Sequence, residues 1–148
     1  MTAANETILK FGYPDTLIHA YPSWLVLLRP QQVTAAALVL AHRGDDQAFS
    51  DLSPAAFTGL AQVIPDIERN LKALVEYERI NYLMLMMVDP HVHFHVIPRY
   101  AGSRAIAGIE VTDHGWPRTP DLTKFLQPAA ADLARIAETV RAAWHRRA

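Results

Sequence analysis

Short apolar runs separated by polar turns fill the first third of the chain. Residues 16–20 and 24–28 are two such runs, and Pro22 and Ser23 lie between them. A third run covers residues 36–41 and is followed by the polar sequence HRGDDQ. Runs of this length bounded by turn residues are typical of β-strands. The pattern therefore predicts three strands before the first helix.

The middle of the chain carries a helical pattern. Ser53 is a favourable N-cap residue, and Pro54 suits the first helical position. The apolar residues that follow recur at three- and four-residue spacing and define one face, namely Phe57, Leu60, Ile64, Ile67, Leu71, Leu74 and Val75. Pro65 lies within this run and is expected to kink the helix.

The second half begins with a continuous apolar run, NYLMLMMV, at residues 81–88. Its length and flanks favour a buried strand. Asp89–Pro90 predicts a tight turn, so that residues 81–88 and 91–97 would pair as an antiparallel hairpin.

Beyond Pro98, glycine and proline interrupt the pattern until a final helix at about residues 127–146. Its apolar stripe consists of Leu133, Ile136, Val140 and Trp144. Strands with segregated helices indicate an α+β fold built on an antiparallel sheet.

Composition and charge mainly exclude certain classes of protein and of functional site. The 148 residues suit a single domain over 1–148, and the net charge of −1 gives no basic surface for a nucleic-acid polymer. The chain has no cysteine, which excludes disulfides, thiol catalysis and thiolate metal sites. No apolar run is long enough for a membrane span, and the N-terminal sequence lacks a signal pattern. We therefore expect a cytoplasmic protein without a membrane partner.

The most unusual stretch is HVHFHVI, in which histidines occupy positions 91, 93 and 95. On a strand, successive side chains point to opposite faces. Val92, Phe94 and Val96 would then pack on the core, while His91, His93 and His95 share the other face. Packing explains the apolar half of this pattern, but not the row of imidazoles, which is expected to be open to a ligand.

Three interpretations of the histidine row compete. The first is a solvated or hydrogen-bonded face. The second is a metal site, in which neighbouring histidines, about 6.6 Å apart along the strand, share an ion. The outer two are then roughly 13 Å apart, so further ligands must come from elsewhere, and His19, His42 and Asp89 show no recognisable ligand spacing. The third is catalysis on phosphorus, with one neutral imidazole as the nucleophile and others as hydrogen-bond donors.

The motif His-φ-His-φ-His-φ-φ, where φ is apolar, followed by Pro98–Arg99, resembles the histidine triad family of nucleotide hydrolases and transferases. The segments VLLRP, ALVLAHR, FSDLSP and INY follow the order of elements in that family. The resemblance is strongest to the fragile-histidine-triad and dinucleoside-polyphosphate hydrolase branch.

The resemblance implies a five-stranded antiparallel sheet with two main helices on one side, and a homodimer with a ten-stranded sheet across the pair. It also implies that His93 attacks the α-phosphorus and forms a nucleotidyl–histidine intermediate. His95 would give a proton or hydrogen bond to phosphate and leaving-group oxygens, and His91 would orient the strand.

Carried onto this chain, the resemblance assigns four residues to substrate binding. Leu28 falls where that branch places an asparagine, and Met87 lies where a polar ribose or phosphate contact is expected. Asp89 belongs to the short sequence VDP before the triad, which lacks the family's glycine and glutamine. Arg99 either binds phosphate or pairs with an acid at the strand exit. Ala37 stands where the family has a fourth histidine.

The implied substrate is a small purine nucleotide or dinucleotide, such as a diadenosine polyphosphate or a nucleoside phosphoramidate. No resident cofactor or metal is implied, although magnesium could arrive with a polyphosphate substrate. Two alternatives remain. One is a nucleotide-binding protein with little turnover, and the other is a metalloprotein that uses two of the three histidines.

Overall fold

The structure is a computed structural model and describes residues 4–145. Five strands form one antiparallel sheet, namely β1 (Leu17–Ala20), β2 (Trp24–Leu28), β3 (Leu38–His42), β4 (Arg79–Leu83) and β5 (His93–Arg99). Their order in the sheet is β1-β2-β3-β5-β4, so β1 and β4 are the edge strands. The α+β class and the five-stranded antiparallel sheet are therefore confirmed.

Three α-helices accompany the sheet: α1 (Glu6–Lys10), α2 (Pro54–Val75) and α3 (Ala130–His145). A short 3-10 turn at Phe49–Asp51 precedes α2. The N-cap prediction for α2 is confirmed, because the Ser53 hydroxyl accepts a hydrogen bond from the Ala56 N–H at 3.2 Å. The helix continues through Pro65, which lies on its exposed side.

The main core lies between one face of the sheet and the helices α2 and α3. The helices contribute Val63, Ile67, Leu71, Ile136 and Val140, and the strands contribute Trp24, Val26, Leu28, Leu38, Leu40 and Val96. Each fully buried aliphatic side chain stabilises the fold by about 1.5–3 kcal/mol. The buried face of α2 is rotated from the predicted one, since Phe57 is 42% exposed and Ala56 is buried.

A second, smaller cluster covers the other face of the sheet. Ile8 of α1 packs there against Leu25, Leu27, Val39 and Ala41. The side chain of Asn5 holds this short helix in place, because its Oδ1 accepts from the Ile8 N–H and its Nδ2 donates to the Gly44 carbonyl at 2.8 Å. The two main helices lie on one side as expected, but α1 lies on the opposite side.

The apolar run at 81–88 differs from its prediction as a buried strand. Only its first residues belong to β4, and residues 84–92 form the loop between β4 and β5. Met86 has φ of +48°, which takes the chain out of the extended conformation. The predicted pairing holds only for residues 81–83, which run antiparallel to residues 95–97 with Leu83 opposite His95. Asp89–Pro90 lies within the loop of residues 84–92 and does not form a tight turn between paired strands, and Met87 and Val88 are exposed.

The segment after Pro98 contains a hairpin that the sequence pattern did not predict. Strands β6 (Ser103–Ile106) and β7 (Ile109–Thr112) pair antiparallel. Ala107 and Gly108 both have positive φ, the geometry of a tight two-residue turn. The final helix begins at 130 rather than 127, and its predicted last residue, 146, lies outside the described residues. Within 4–145, no helix has the length and apolar character needed to cross a membrane.

Candidate active site

Along β5, the apolar and histidine side chains of the motif lie on opposite faces of the sheet, as alternation predicts. Val92 and Val96 are buried in the main core, and Phe94 packs against it. His93 and His95 point to the opposite face, where their rings lie 5.0 Å apart between centroids. The two histidines lie in the interior of the sheet, since β3 pairs with β5 along this stretch. The backbone that carries them is consequently held by hydrogen bonds to a neighbouring strand.

His93 is oriented by a short hydrogen bond to the backbone. Its Nδ1 lies 2.6 Å from the carbonyl oxygen of His91. A carbonyl oxygen can only accept, so Nδ1 must carry the hydrogen. In the neutral ring this leaves a lone pair on Nε2. The geometry therefore selects the tautomer in which Nε2 is free to act as a nucleophile.

His95 is held in the opposite tautomer by an arginine. The Nε–H of Arg29 donates to Nδ1 of His95 at 3.3 Å, so Nδ1 accepts and the hydrogen of the neutral ring is on Nε2. Burial, followed by the positive charges of Arg29 and of protonated His93, lowers the pKa of His95 to about 4. At neutral pH, His95 is therefore an uncharged hydrogen-bond donor through Nε2.

His91 lies just before β5, so the prediction of three histidines within one strand holds for only two. Its Nδ1 is 2.8 Å from the hydroxyl of Thr7, which belongs to α1. Its carbonyl orients His93, as described above. His91 thus joins α1 to the site through its ring and supports His93 through its backbone.

The segment containing α1 covers the histidine face. The ring of Phe11 lies 5.7 Å from the rings of both His93 and His95. Lys10 forms an ion pair with Asp89 at 2.7 Å, which ties the same segment to the loop before β5. As a result His93 is only 1% exposed, and the expectation of an open imidazole face is wrong for this residue.

The covered histidines nevertheless border a cavity of about 330 Å³, which we call the triad cavity. Its walls include His93, His95, Lys10, Phe11, Arg29, Met87 and Asp89. This volume lies at the lower end of the range of small-molecule sites, roughly 300–1,000 Å³. A larger cavity, about 600 Å³, lies beside β4 and contains neither histidine. The triad cavity is the candidate site because it combines both imidazoles with charged side chains.

Of the four predicted substrate-binding residues, Met87 and Asp89 line the triad cavity. Leu28 does not, and that prediction is corrected: its side chain is fully buried in the main core on the other face of the sheet. The assignment of Arg99 to phosphate binding at the triad is also corrected. Arg99 borders the larger cavity and forms an ion pair with Asp113 at 2.8 Å, which is the alternative stated for it above.

Arg29 is the site residue that the sequence reasoning missed. Strand alternation contained the signal, because Leu25 and Leu27 face the α1 side of the sheet and residue 29 is next in that series. The alignment with the family placed the substrate contact at Leu28, one residue earlier, and the side chain of Leu28 faces the main core.

The position assigned to the fourth histidine is apolar in the structure as well. Ala37 is fully buried and packs with Val33 and Ile97. Among residues 4–145, no group of three or more His, Asp or Glu side chains is arranged to hold a metal ion.

Comparison with known proteins identifies the fold. No protein-family model matches the sequence, and no curated protein matches it. Solved structures do match. A histidine triad protein from Marinobacter aquaeolei VT8 has a TM-score of 0.75 at 17% identity, over 100% of this chain and 99% of that chain. A histidine triad protein from Bradyrhizobium japonicum has a TM-score of 0.71 at 21% identity, over 95% and 96% of the two chains.

A third match is a hypothetical histidine triad nucleotide-binding protein from Sulfolobus tokodaii strain7. It has a TM-score of 0.69 at 13% identity, over 95% of this chain and 90% of that chain. The chain therefore has the fold of the histidine triad proteins.

Proposed function

We propose that this protein is a histidine triad nucleotide phosphohydrolase or nucleotidyl transferase that acts at the α-phosphorus of a purine nucleotide or dinucleotide. His93 is the nucleophile, His95 donates a hydrogen bond, and His91 orients the nucleophile. Within the family, the proposal favours the fragile-histidine-triad and dinucleoside-polyphosphate hydrolase branch, on the motif resemblance described above.

The observation that carries the proposal is the pair of opposite tautomers in one cavity. The His91 carbonyl fixes the hydrogen of His93 on Nδ1, and Arg29 fixes that of His95 on Nε2. One ring therefore offers a lone pair and its neighbour offers a donor. A reaction that attacks phosphorus and stabilises the oxygens around it needs this combination.

The reaction follows from these assignments. With a phosphoanhydride substrate, Nε2 of His93 attacks phosphorus, an N–P bond forms, and the bond to the leaving-group oxygen breaks with its electron pair on that oxygen. With a phosphoramidate, the P–N bond of the substrate breaks instead, and the departing nitrogen takes up a proton from solvent. The hydrogen on Nδ1 stays with the ring, where the His91 carbonyl stabilises the positive charge. Water, or another acceptor, then attacks phosphorus and the electron pair of the N–P bond returns to Nε2. With water, the products are a nucleoside monophosphate, the leaving group and a proton released to solvent.

Turnover by the wild type and the variant His93→Ala is the direct test. Both proteins are incubated with diadenosine polyphosphates, with magnesium present, and with adenosine phosphoramidate. We expect the variant to release adenosine monophosphate at least about a thousandfold more slowly, because removing a nucleophile abolishes the covalent route. The trapped wild-type protein should carry a nucleotide adduct on the peptide that contains His93.

His114→Ala is the matched control, since His114 is an exposed histidine that does not line the triad cavity. It should leave turnover unchanged. Equal rates for the wild type and His93→Ala, or an adduct on another peptide, would refute the assignment of His93.

A second candidate function is nucleotide binding with little turnover. The observation in its favour is the cover over His93, which leaves 1% of that residue exposed. Calorimetry with adenosine monophosphate, combined with the turnover assay, separates the two functions. Tight binding without product formation favours this alternative.

We also propose the homodimer that the family resemblance implies. It is supported by the position of β4 at an edge of the sheet, where its outer backbone groups have no strand partner among the described residues. Pairing of two β4 strands would extend the sheet to ten strands. Light scattering after size-exclusion chromatography should give twice the chain mass, and a monomer mass at assay concentration would contradict the proposal.

A further inference from the structure

Arg29 is a buried cation at the wall of the triad cavity. It directly follows β2 and is only 7% exposed. A buried guanidinium is costly unless an opposite charge or a full set of hydrogen bonds compensates it. The partners of Arg29 therefore indicate what its charge is for.

Its partners within the protein are neutral. The Nε–H donates to Nδ1 of His95 at 3.3 Å, and Nη1 donates to the carbonyl oxygen of Gln31 at 2.8 Å. No carboxylate in residues 4–145 lies within 4.0 Å of the guanidinium, and no hydrogen bond in that part of the chain uses Nη2. Burial accordingly lowers the pKa of Arg29. A guanidinium nevertheless stays protonated at neutral pH, so Arg29 keeps its positive charge, and Nη2 is available to donate hydrogen bonds to a ligand.

The other charges of the cavity do not neutralise Arg29. Lys10 and Asp89 pair with each other at 2.7 Å, so their charges cancel locally. His95 is uncharged at neutral pH. The cavity as a whole therefore carries one excess positive charge, which favours an anionic ligand.

We propose that Arg29 binds the phosphoryl group, its guanidinium donating hydrogen bonds to the non-bridging oxygens of the phosphorus that His93 attacks. This inference rests on the proposed function and names the residue of the triad cavity that would hold the phosphate. A planar guanidinium matches phosphate oxygens better than a point charge does. Because Arg29 contacts His95, the guanidinium and the Nε2–H donor of His95 would bind the oxygens of the same phosphoryl group.

In the reaction, Arg29 exchanges no proton and forms no covalent bond. The N–P bond forms and the P–O bond breaks as described above, while negative charge is spread over the non-bridging oxygens in the transition state. The guanidinium stabilises this charge from the wall of the triad cavity.

The test compares two ligands that differ by one phosphate. Calorimetry measures the affinities of adenosine monophosphate and adenosine for the wild type and for Arg29→Gln. The variant should bind adenosine monophosphate about 10- to 100-fold more weakly, as expected for loss of a charge-assisted hydrogen bond, and bind adenosine as the wild type does. Arg29→Lys, which keeps the charge but loses the planar fork, should show a smaller loss.

Arg118→Gln is the matched control, because it removes the same charge from an exposed residue outside the triad cavity. Its affinities should equal those of the wild type. Arg29→Met removes the charge by a second route should the glutamine variant fail to fold. Wild-type affinity for adenosine monophosphate in a folded Arg29 variant, an equal loss for both ligands, or no binding of adenosine monophosphate to the wild type overturns the proposal.

Turnover is measured on the same wild-type preparation, so the two hypotheses fail separately. Binding that depends on Arg29, with no turnover and no adduct, would refute the proposed reaction and leave the phosphate contact intact. Turnover through His93 that is insensitive to Arg29 would refute the contact alone.

Discussion

Two arginines are buried among residues 4–145, and their surroundings differ. Arg99, at the end of β5, is 3% exposed, and Arg29, at the end of β2, is 7% exposed. The guanidinium of Arg99 donates to Asp113 through Nε and Nη2 at 2.8 and 3.1 Å, and to Asn81 through Nη1 at 2.8 Å. Every nitrogen of that group has an acceptor in the protein. The guanidinium of Arg29 has two neutral acceptors, the imidazole of His95 and the carbonyl oxygen of Gln31.

The difference shows that burial alone does not indicate the role of a charged residue. The ion pair of Arg99 joins β5 to the segment after β7, and Asp113 also accepts from the backbone N–H of Tyr100 at 3.1 Å. The charge and the hydrogen-bond donors of Arg99 are thus satisfied within the protein, and the ion pair stabilises the fold. The arrangement around Arg29 lacks an anion, and it lies on the wall of a cavity. The comparison therefore separates a structural cation from a ligand-binding one.

The largest effect is expected from removing the anion of the structural pair. Asp113→Ala leaves Arg99 buried without its counter-charge, which should lower the free energy of unfolding by about 3–5 kcal/mol. Urea denaturation followed by circular dichroism measures this loss. The preference of the folded protein for adenosine monophosphate over adenosine should not change, because Arg99 lies outside the triad cavity.

The control for this variant is Glu110→Ala, an exposed acid on β7, which should change the free energy of unfolding by less than about 0.5 kcal/mol. The double variant Arg99→Met with Asp113→Leu should recover much of the loss, because it removes both charges together. A loss below about 1 kcal/mol in Asp113→Ala would contradict the structural role of the pair.

A smaller effect is expected from pH, and it belongs to the Arg29 region. The pKa of His95 is about 4 in the folded protein and should approach the ordinary value of about 6.5 in the unfolded chain. Below pH 6.5, His95 takes up a proton in the unfolded chain but stays neutral in the folded protein until the pH approaches 4. The free energy of unfolding is therefore highest above pH 6.5. It falls by on the order of 2–3 kcal/mol as the pH is lowered towards 4.

The charged groups around His95 are Arg29, His93, Asp89 and Lys10. Replacing Arg29 by glutamine removes one cause of the lowered pKa, so the variant should lose less stability between pH 7 and pH 4.5 than the wild type does. His95→Gln should lose less still, since it has no imidazole to titrate there. Denaturation curves at the two pH values measure these differences. Identical losses in all three proteins would show that Arg29 does not influence His95.

Local patterns in the sequence were enough for much of the fold. The limits of β2 and the N-cap of α2 matched their predictions, because each depends on a few neighbouring residues. The two faces of the triad strand also followed from alternation alone. The resemblance to the histidine triad family supplied the five-stranded sheet, which no local pattern specifies.

The parts that could not be predicted depend on contacts between distant segments. Helix α1 has only five residues, and its position over the sheet depends on Asn5, Ile8 and Phe11 contacting residues far along the chain. The apolar run at 81–88 predicts a buried strand, yet its second half forms the loop at the cavity. A hydrophobic pattern does not distinguish a core strand from an apolar binding loop.

The smallest effect is expected from replacing Arg29 itself, and its sign is the point of interest. Arg29→Met exchanges a buried cation without a counter-charge for an apolar side chain of similar length. The free energy of unfolding should stay the same or rise by up to about 1 kcal/mol, since removing an uncompensated buried charge offsets the lost hydrogen bond to Gln31. The change is measured by urea denaturation at pH 7, beside Arg99→Met, which should be destabilising. A loss of 3 kcal/mol or more in Arg29→Met, on the order of a broken buried pair, would mean that Arg29, like Arg99, serves the fold.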